Sequence, residues 1–246
     1  MQHAELNADC TACSVRATSF CGAIPLRGLN TLARSRRLVQ YDRRQTIVSE
    51  GEPATSFFSI VSGVVKLCRS LSDGRTQIIG FRFPGEYFAI SDSENYATTV
   101  EAMTFVEACQ FPRSRLKRLT QAFPQMQARL LDMSHRYLAA SEDQIFLLGR
   151  KTAKEKVASF LLSYSEKFAQ ESAGSGHRMN LPMTRAEIAD FLGLTTETVS
   201  RVLTGLAREK VITVGLSHSV RLLNVNLLQR IAGHWGTHEG GPARAG

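Results

Sequence analysis

The sequence predicts an α+β chain: an N-terminal antiparallel β-roll, one long helix and a C-terminal winged helix-turn-helix. Three observations predict it. Short β-branched and aromatic runs separated by turns crowd residues 37–111, as in an antiparallel barrel or jelly roll. Pro124 opens a pattern of helical period that reaches about Arg150. Residues 183–201 then read as two short helices about Gly193, which can take positive φ without a Cβ clash.

The elements follow in order. Residues 1–24 are polar and cysteine-containing without clear periodicity, and residues 25–35 suit a short helix. Strand-like runs occupy 38–41, 46–48, 57–61, 64–67, 77–83 and 105–111, punctuated by Asp42-Arg43-Arg44, Glu50-Gly51-Glu52-Pro53, Ser62-Gly63 and Ser72-Asp73-Gly74. The long helix spans roughly 40 Å at 1.5 Å per residue. One stripe along it holds Met126, Leu130, Met133, Tyr137, Ala140, Gln144 and Leu147; a second, one register over, holds Leu131, Ser134, Leu138, Ser141, Ile145 and Leu148. Two stripes imply burial on two sides, against the barrel and against a partner helix; a single wide core-facing stripe is the alternative. Another amphipathic helix covers 152–170, followed by a flexible loop at 173–177 and a short strand at 179–182. Strands at 211–214 and 219–223 flank Gly215-Leu-Ser-His218 as a wing, in which His218 either touches phosphate or is simply solvated. The expected domains are 1–24, 25–122 (the β-roll), 123–151 (the long helix), 152–235 (the winged helix-turn-helix) and 236–246, a disordered tail.

A chain of 246 residues, 43% of them apolar, can bury the cores of two domains. No apolar run approaches the ~20 residues that cross a bilayer, and the N-terminus lacks a basic region followed by an apolar stretch. A cytoplasmic location without membrane contact is expected. The net charge of +8 agrees with a polyanionic partner, but the excess is not concentrated around residues 183–201. No nucleotide-binding glycine motif or metalloprotease motif occurs, and the six histidines are scattered, so an enzyme finds no support.

Three of the five cysteines crowd one segment as Cys10-Thr-Ala-Cys13 and Cys21. In a reducing compartment such clusters bind metal, do redox work or are incidental. Three local thiolates leave a tetrahedral zinc or a cubane cluster one ligand short, and Cys68 and Cys109 are the candidates for the fourth. In the helical pair, Ile188, Ala189, Leu192, Leu194, Val199 and Leu203 can face inward. Thr195 can cap the second helix, leaving Thr196, Glu197, Ser200 and Arg201 exposed at its start, where a helix-turn-helix enters the major groove. Glu197 can accept from cytosine N4, Arg201 can donate to guanine O6/N7, and Ser200 can reach a base edge. An ordinary helical hairpin with solvated polar residues is the alternative.

Gly51-Glu52, Val61-Ser-Gly63, Asp73-Gly-Arg-Thr-Gln77, Phe83-Pro-Gly-Glu86 and Thr184-Arg-x-x-Ile-x-x-x-Leu-Gly-Leu-Thr-x-Glu-Thr-Val-Ser-Arg201 together resemble the CRP/FNR family of bacterial transcription regulators over residues 25–235. The resemblance is strongest to its FNR/FixK/FnrN-type oxygen-responsive branch. It implies a cyclic-nucleotide-binding-like roll, a homodimer and binding to double-stranded DNA, with Thr184, Arg185, Thr195, Thr196, Glu197, Ser200 and Arg201 at the DNA and a TTGAT-N4-ATCAA-like palindrome as the site. It implies a [4Fe–4S] cluster on Cys10, Cys13, Cys21 and Cys109, because Cys109-Gln-Phe-Pro112 matches the family's Cys-x-apolar-Pro pattern whereas Cys68 has no counterpart. The seven-residue gap before Cys21 is longer than in FNR itself and is similar to that of rhizobial-type relatives. Dimerisation would fall to Leu131, Leu138, Ser141, Ile145 and Leu148; Ser141 stands where FNR has an aspartate that repels its copy when oxygen is present, with Glu142 and Asp143 following. Tyr96 and Ala97 replace the Arg-Ser pair that clamps cyclic AMP in other members, so no cyclic AMP is expected. Gly85 and Glu86 match the loop through which FNR-type activators touch RNA polymerase, which implies activation. A cluster-free regulator using redox thiols, zinc or another barrel ligand is the alternative, and a redox enzyme using Cys10 and Cys13 is a more distant one.

Overall fold

Alternation of side chains along short strands builds the N-terminal unit. In the computed structural model, which describes residues 10–90, 93–169, 178–215 and 219–233, eight strands come first: β1 (Arg37–Tyr41), β2 (Thr46–Val48), β3 (Ser56–Ser62), β4 (Val65–Ser70), β5 (Thr76–Arg82), β6 (Tyr87–Phe88), β7 (Thr99–Ala102) and β8 (Val106–Pro112). They form two antiparallel sheets, ordered β1-β8-β3-β6 and β2-β7-β4-β5. That interleaving is the jelly roll expected from the sequence. β4 begins at Val65 rather than Val64. β6 and β7 have no counterpart among the sequence-derived runs; β6 is two residues long and is defined by pairing Tyr87 with Ser59 and Phe88 with Phe58.

Period-2 alternation divides the apolar residues between two cores. Phe58 and Ile60 of β3, Val65 and Leu67 of β4, Val100 and Ala102 of β7 and Val106 and Ala108 of β8 fill the space between the sheets. The intervening Phe57 and Phe111 point out of the roll into a second core with Phe20, Leu29, Leu32 and Tyr87. Stacked rings mark both, Phe58 on Phe88 and Phe57 on Phe111, each with centroids 4.9 Å apart.

The second core is roofed by helices. The single short helix expected over 25–35 is instead a 3-10 turn, Leu26–Gly28, running into α1 (Leu29–Ala33). An earlier 3-10 turn, Phe20–Ala23, is capped by Ser19. α2 (Arg113–Ala122) was not legible in the sequence, and α3 (Pro124–Arg150) has the expected bounds. Proline at the first position of α3 costs nothing, because that N–H has no intrahelical acceptor. Phe20 is fully buried among Phe57, Tyr87 and Phe111. Phe20→Ala therefore removes a ring the roll cannot collapse onto, and a loss of about 3–5 kcal/mol is expected in denaturant unfolding. The exposed Phe105 provides the control, Phe105→Ala changing stability little.

The chain divides into two compact units, one ending at Asp143 and one beginning at Gln144, so the division falls within α3. The second unit contains α4 (Ala153–Ala169), β9 (Arg178–Asn180), α5 (Arg185–Leu192), α6 (Thr196–Arg208), β10 (Ile212–Val214), β11 (Ser219–Leu222) and α7 (Val225–Ile231). The strand expected at 179–182 is Arg178–Asn180; Pro182 has no N–H to continue the pairing. The wing is present as the antiparallel β10–β11 pair, and β9 adds a third strand. α7 was not anticipated. Residues 1–9 of the cysteine-rich segment, the loop at 173–177, His218 with the rest of the wing tip, and the tail at 236–246 lie outside the described residues. Among the described residues, no helix is long and apolar enough to cross a membrane.

Candidate functional site

Cys10, Cys13 and Cys21 of the N-terminal segment and Cys109 of β8 line one cavity of about 300 Å³. Cys109 faces it because Ala108 points into the roll, and it sits opposite Leu38 of β1 and Ser59 of β3. Cys21 is fixed by its neighbours: Phe20 is sunk in the second core, and Ser19 Oγ accepts the Cys21 N–H at 3.2 Å. Cys68 lies on β4 in the other sheet, paired with Thr99 and Ile78, and is not part of this lining. Burial pushes the Cys21 thiol up to about 12, against the Ser19 hydrogen bond and with the other three cysteines adding. Burial likewise pushes Cys109 up to about 11, with Arg36 opposing and Cys10 and Cys13 adding.

Two arginines share the cavity. Arg36 Nε donates to Cys10 Sγ at 3.3 Å. Burial works against the Arg36 cation, but Cys109, Cys10 and Cys13 more than offset it and hold the charge above its ordinary range. Arg16 donates through Nη2 to Ile24 O at 3.2 Å, while its buried Nε has no partner. Neither arginine carried a spacing signal. Among the described residues, no imidazole or carboxylate lines the cavity; four thiols do, beside the hydroxyls of Ser14, Ser19 and Ser59, and thiolate is the soft donor of iron–sulfur and zinc sites. Among the described residues, no three His, Cys, Asp or Glu converge closely enough to share a single ion. A cuboidal [4Fe–4S] cluster takes four thiolates at separate corners, further apart than the ligands of one ion, and four cysteines on one cavity match that group in number and donor type.

The cavity adjoins the seat of α3. Cys10, Cys21 and Cys109 pack on the same apolar cluster as Met126, Leu130, Met133 and Tyr137. Arg129 of α3 donates to Thr18 O at 3.3 Å, within the stretch between Cys13 and Cys21. Tyr87 Oη and Ser134 Oγ are 2.6 Å apart, the Tyr87 N–H donates to Tyr137 Oη at 3.2 Å, and the Arg82 guanidinium stands 4.0 Å over the Tyr137 ring. The first α3 stripe is thus taken up largely by packing. The second is not: Leu131, Leu138, Ser141 and Ile145 are exposed, as is Phe146, which the heptad reading missed. A single wide stripe packed on the roll does not describe α3, since the second stripe lies exposed; one correction concerns a member that departs from that stripe. Leu148 is half-buried beside Gly193 and is less available than its neighbours.

A second correction concerns Gly85. It is buried, at φ +86°, under Thr18, where an added Cβ would come within 2.3 Å of Thr18 Oγ1. It shapes the turn and offers no exposed contact. Glu86 is half-buried, its carboxylate accepting the Phe83 N–H at 3.1 Å. In the other core, the Tyr96 side chain is buried, its hydroxyl donating to Ser56 O and accepting the Ser56 N–H, each at 3.0 Å. The Tyr96 ring thus packs within the core of the roll.

The second unit assembles the helical pair as expected. Thr184 and Glu187 form a reciprocal capping box at the start of α5. Gly193, at φ +60°, ends α5 in the left-handed conformation. Thr195 Oγ1 accepts the Thr198 N–H at 3.1 Å and starts α6. Ile188, Ala189, Leu192, Val199 and Leu203 are buried and Leu194 half-buried. Thr195, Thr196, Glu197 and Arg201 are exposed at the start of α6, with Arg185 exposed on α5. Ser200 is corrected to half-buried, because Arg185 Nη1 reaches its Oγ at 3.2 Å. Arg201 and Glu197 pair at 2.7 Å across one helical turn.

Comparison with known proteins agrees with both units. A family model described as a cyclic nucleotide-binding domain matches residues 38–123, and one described as a Crp-like helix-turn-helix domain matches residues 155–231. The chain is 37% identical over 222 residues to the transcriptional activatory protein AadR of Rhodopseudomonas palustris, covering 90% of this chain and 92% of AadR. It is 36% identical over 205 residues to the nitrogen fixation regulation protein FixK of Bradyrhizobium diazoefficiens, covering 83% and 86%. The solved structure of FixK2 from Bradyrhizobium japonicum superposes with a TM-score of 0.72 at 34% identity, covering 80% of this chain and 96% of that one.

Proposed function

The chain belongs to the CRP/FNR family and is a DNA-binding transcription activator of the FNR/FixK type, not an enzyme, and we propose that it senses oxygen through a [4Fe–4S] cluster on Cys10, Cys13, Cys21 and Cys109 that governs its dimerisation on DNA. One observation carries the reading: these four cysteines meet in one cavity that adjoins the core under α3. When bound, the cluster supplies an oxygen-labile tie among four thiolates.

The rest of the switch is made by this chain's own residues. Cys10 and Cys13 hold the N-terminal segment down on β8 through Cys109. Phe20 and Ser19 fix Cys21, and Thr18 O holds Arg129 of α3. Tyr87 holds Ser134 and Tyr137 from the roll side. Freeing the thiolates releases this segment from α3 and loosens the helix that presents Leu131, Leu138 and Ile145. The two states need differ in dimer free energy by only a few kcal/mol. Ser141 adds no charge to that seam; its hydroxyl donates to Tyr137 O at 2.8 Å. Part of the cluster-free protein therefore still dimerises, unlike a chain with an aspartate there.

The homodimer places two copies of α6 on a TTGAT-N4-ATCAA-like inverted repeat in the cytoplasm, with half-sites about one helical turn apart. Activation follows from contact of the Phe83–Glu86 turn with RNA polymerase, in which Glu86 rather than the buried Gly85 is the accessible member.

Anaerobic purification beside a Cys109→Ala variant tests the site. The parent chain is expected to be brown, absorbing near ~400–420 nm, with about four iron and four sulfide per chain, and Cys109→Ala to be colourless and iron-poor. Air exposure should shift the parent toward the monomer in gel filtration. A colourless parent containing zinc refutes the cluster, and an unchanged mass in air refutes the link to dimerisation.

A further inference from the structure

Among the described residues, the cysteine cavity is lined by two guanidinium groups, of Arg16 and Arg36, and by no carboxylate. Both arginines are half-buried, and a partly desolvated cation is held more favourably beside negative charge. Arg36 spends its Nε on Cys10 Sγ at 3.3 Å. Arg16 lies between Cys13 and Cys21 in sequence, is anchored by one bond to Ile24 O, and keeps a buried Nε without an acceptor. Both cations thus stand at a cavity whose other described polar side chains are four thiols and the hydroxyls of Ser14, Ser19 and Ser59. We propose that Arg16 and Arg36 are the counterions of this site: they balance the double negative charge that four thiolates leave on a [4Fe–4S]²⁺ core, and Arg36 hydrogen-bonds the Cys10 sulfur.

The charges close. Four thiolates on a dicationic core carry two net negative charges, and two permanently protonated guanidiniums carry two positive ones. Hydrogen bonds to sulfur and local charge are among the determinants of cluster potential and stability. A donor held on Cys10 also orients the first cysteine of the segment. Arg16 and Arg36 are positioning residues here, acting on the ligands and through the field.

The inference rests on the cluster reading above, and the test separates the two. Full-length parent, Arg36→Gln, Arg36→Lys and Arg16→Gln are purified anaerobically, with far-UV circular dichroism and thermal melting confirming that each is folded. Iron and sulfide content, the rate of bleaching in air and the cluster midpoint potential are then measured. Arg36→Gln is expected to retain cluster about 10-fold less well against a chelator, the lower end of what losing an outer hydrogen-bond partner costs a metal site. It should bleach faster in air and show a more negative potential, because the reduced state loses its compensating charge. Arg16→Gln should move the potential in the same direction, and Arg36→Lys should restore most of the shift. Parent-like retention and potential in both Gln variants, with the folds intact, overturns the counterion role while leaving the cluster in place. A parent chain without iron and sulfide overturns both.

Discussion

Ile145→Glu is expected to leave the protein monomeric and to abolish its tight binding to a palindromic site. Leu131 is 56% exposed, Leu138 59%, Ile145 71% and Phe146 59%, although all are large apolar side chains on one helix. Leu131, Leu138 and Ile145 are spaced by sevens and share one face, the seam a second copy of α3 would cover. Burying an isoleucine side chain is worth about 1.5–3 kcal/mol, and a two-fold interface loses it twice. A glutamate at the same place adds the desolvation of two like charges, several kcal/mol more. The dimer constant therefore falls by a factor on the order of 10³ or beyond, which micromolar protein does not overcome. Because Ile145 touches little within its own chain, the melting temperature of the isolated subunit should barely move. Sedimentation and DNA titration check this together. A dimer of unchanged mass that binds the palindrome normally would mean that α3 is not the seam.

The two stripes of α3 were legible because burial writes itself into helical period, and the second kept that period through Ser134 and Ser141. What period does not report is where a side chain meets something distant in sequence. Leu148 belongs to the right stripe yet is half-buried beside Gly193. Ser200 sits at an exposed-looking position of α6 but receives Arg185 from α5. Gly85 looked like a loop-tip contact and lies under Thr18. The same blindness hid β6, which two residues suffice to form only because β3 offers Phe58 and Ser59 as partners. α2 escaped because a single buried residue, Leu119, leaves almost no apolar rhythm in a basic segment.

The cysteines divide along similar lines. Cys-x2-Cys announces two thiols of one loop, and Cys21 follows, but nothing in the residues alone chose between Cys68 and Cys109. The choice came from the resemblance around Cys109-Gln-Phe-Pro112. In the structure successive β8 residues alternate, so Val106 and Ala108 occupy the roll while Cys109 and Phe111 pack in the second core beside Cys10 and Cys21. Cys68 is on the opposite sheet. Arg16 and Arg36 were invisible, since a counterion needs only proximity in space.

Arg201→Ala is expected to erase discrimination between the TTGAT-type palindrome and a scrambled duplex while leaving most nonspecific affinity in place. Arg201 and Glu197 stand 72% and 82% exposed in their side chains at the start of α6. Their mutual ion pair is no obstacle, because an exposed pair of this kind is worth about 0–1 kcal/mol. A bidentate arginine–guanine contact is worth about 1–3 kcal/mol of discrimination, and a dimer makes it in both half-sites, so the specificity ratio should fall by roughly 2–6 kcal/mol. Phosphate contacts elsewhere set the salt-dependent background and survive the change. Arg201→Lys separates the two meanings of the side chain. It keeps the positive charge but loses the rigid fork, so if Arg201 reads guanine, the lysine variant must lose specificity nearly as far as the alanine variant while the salt slope stays that of the parent. If instead lysine restores the preference, or the preference survives alanine, Arg201 is a phosphate contact and the base-reading role passes to another residue of α6.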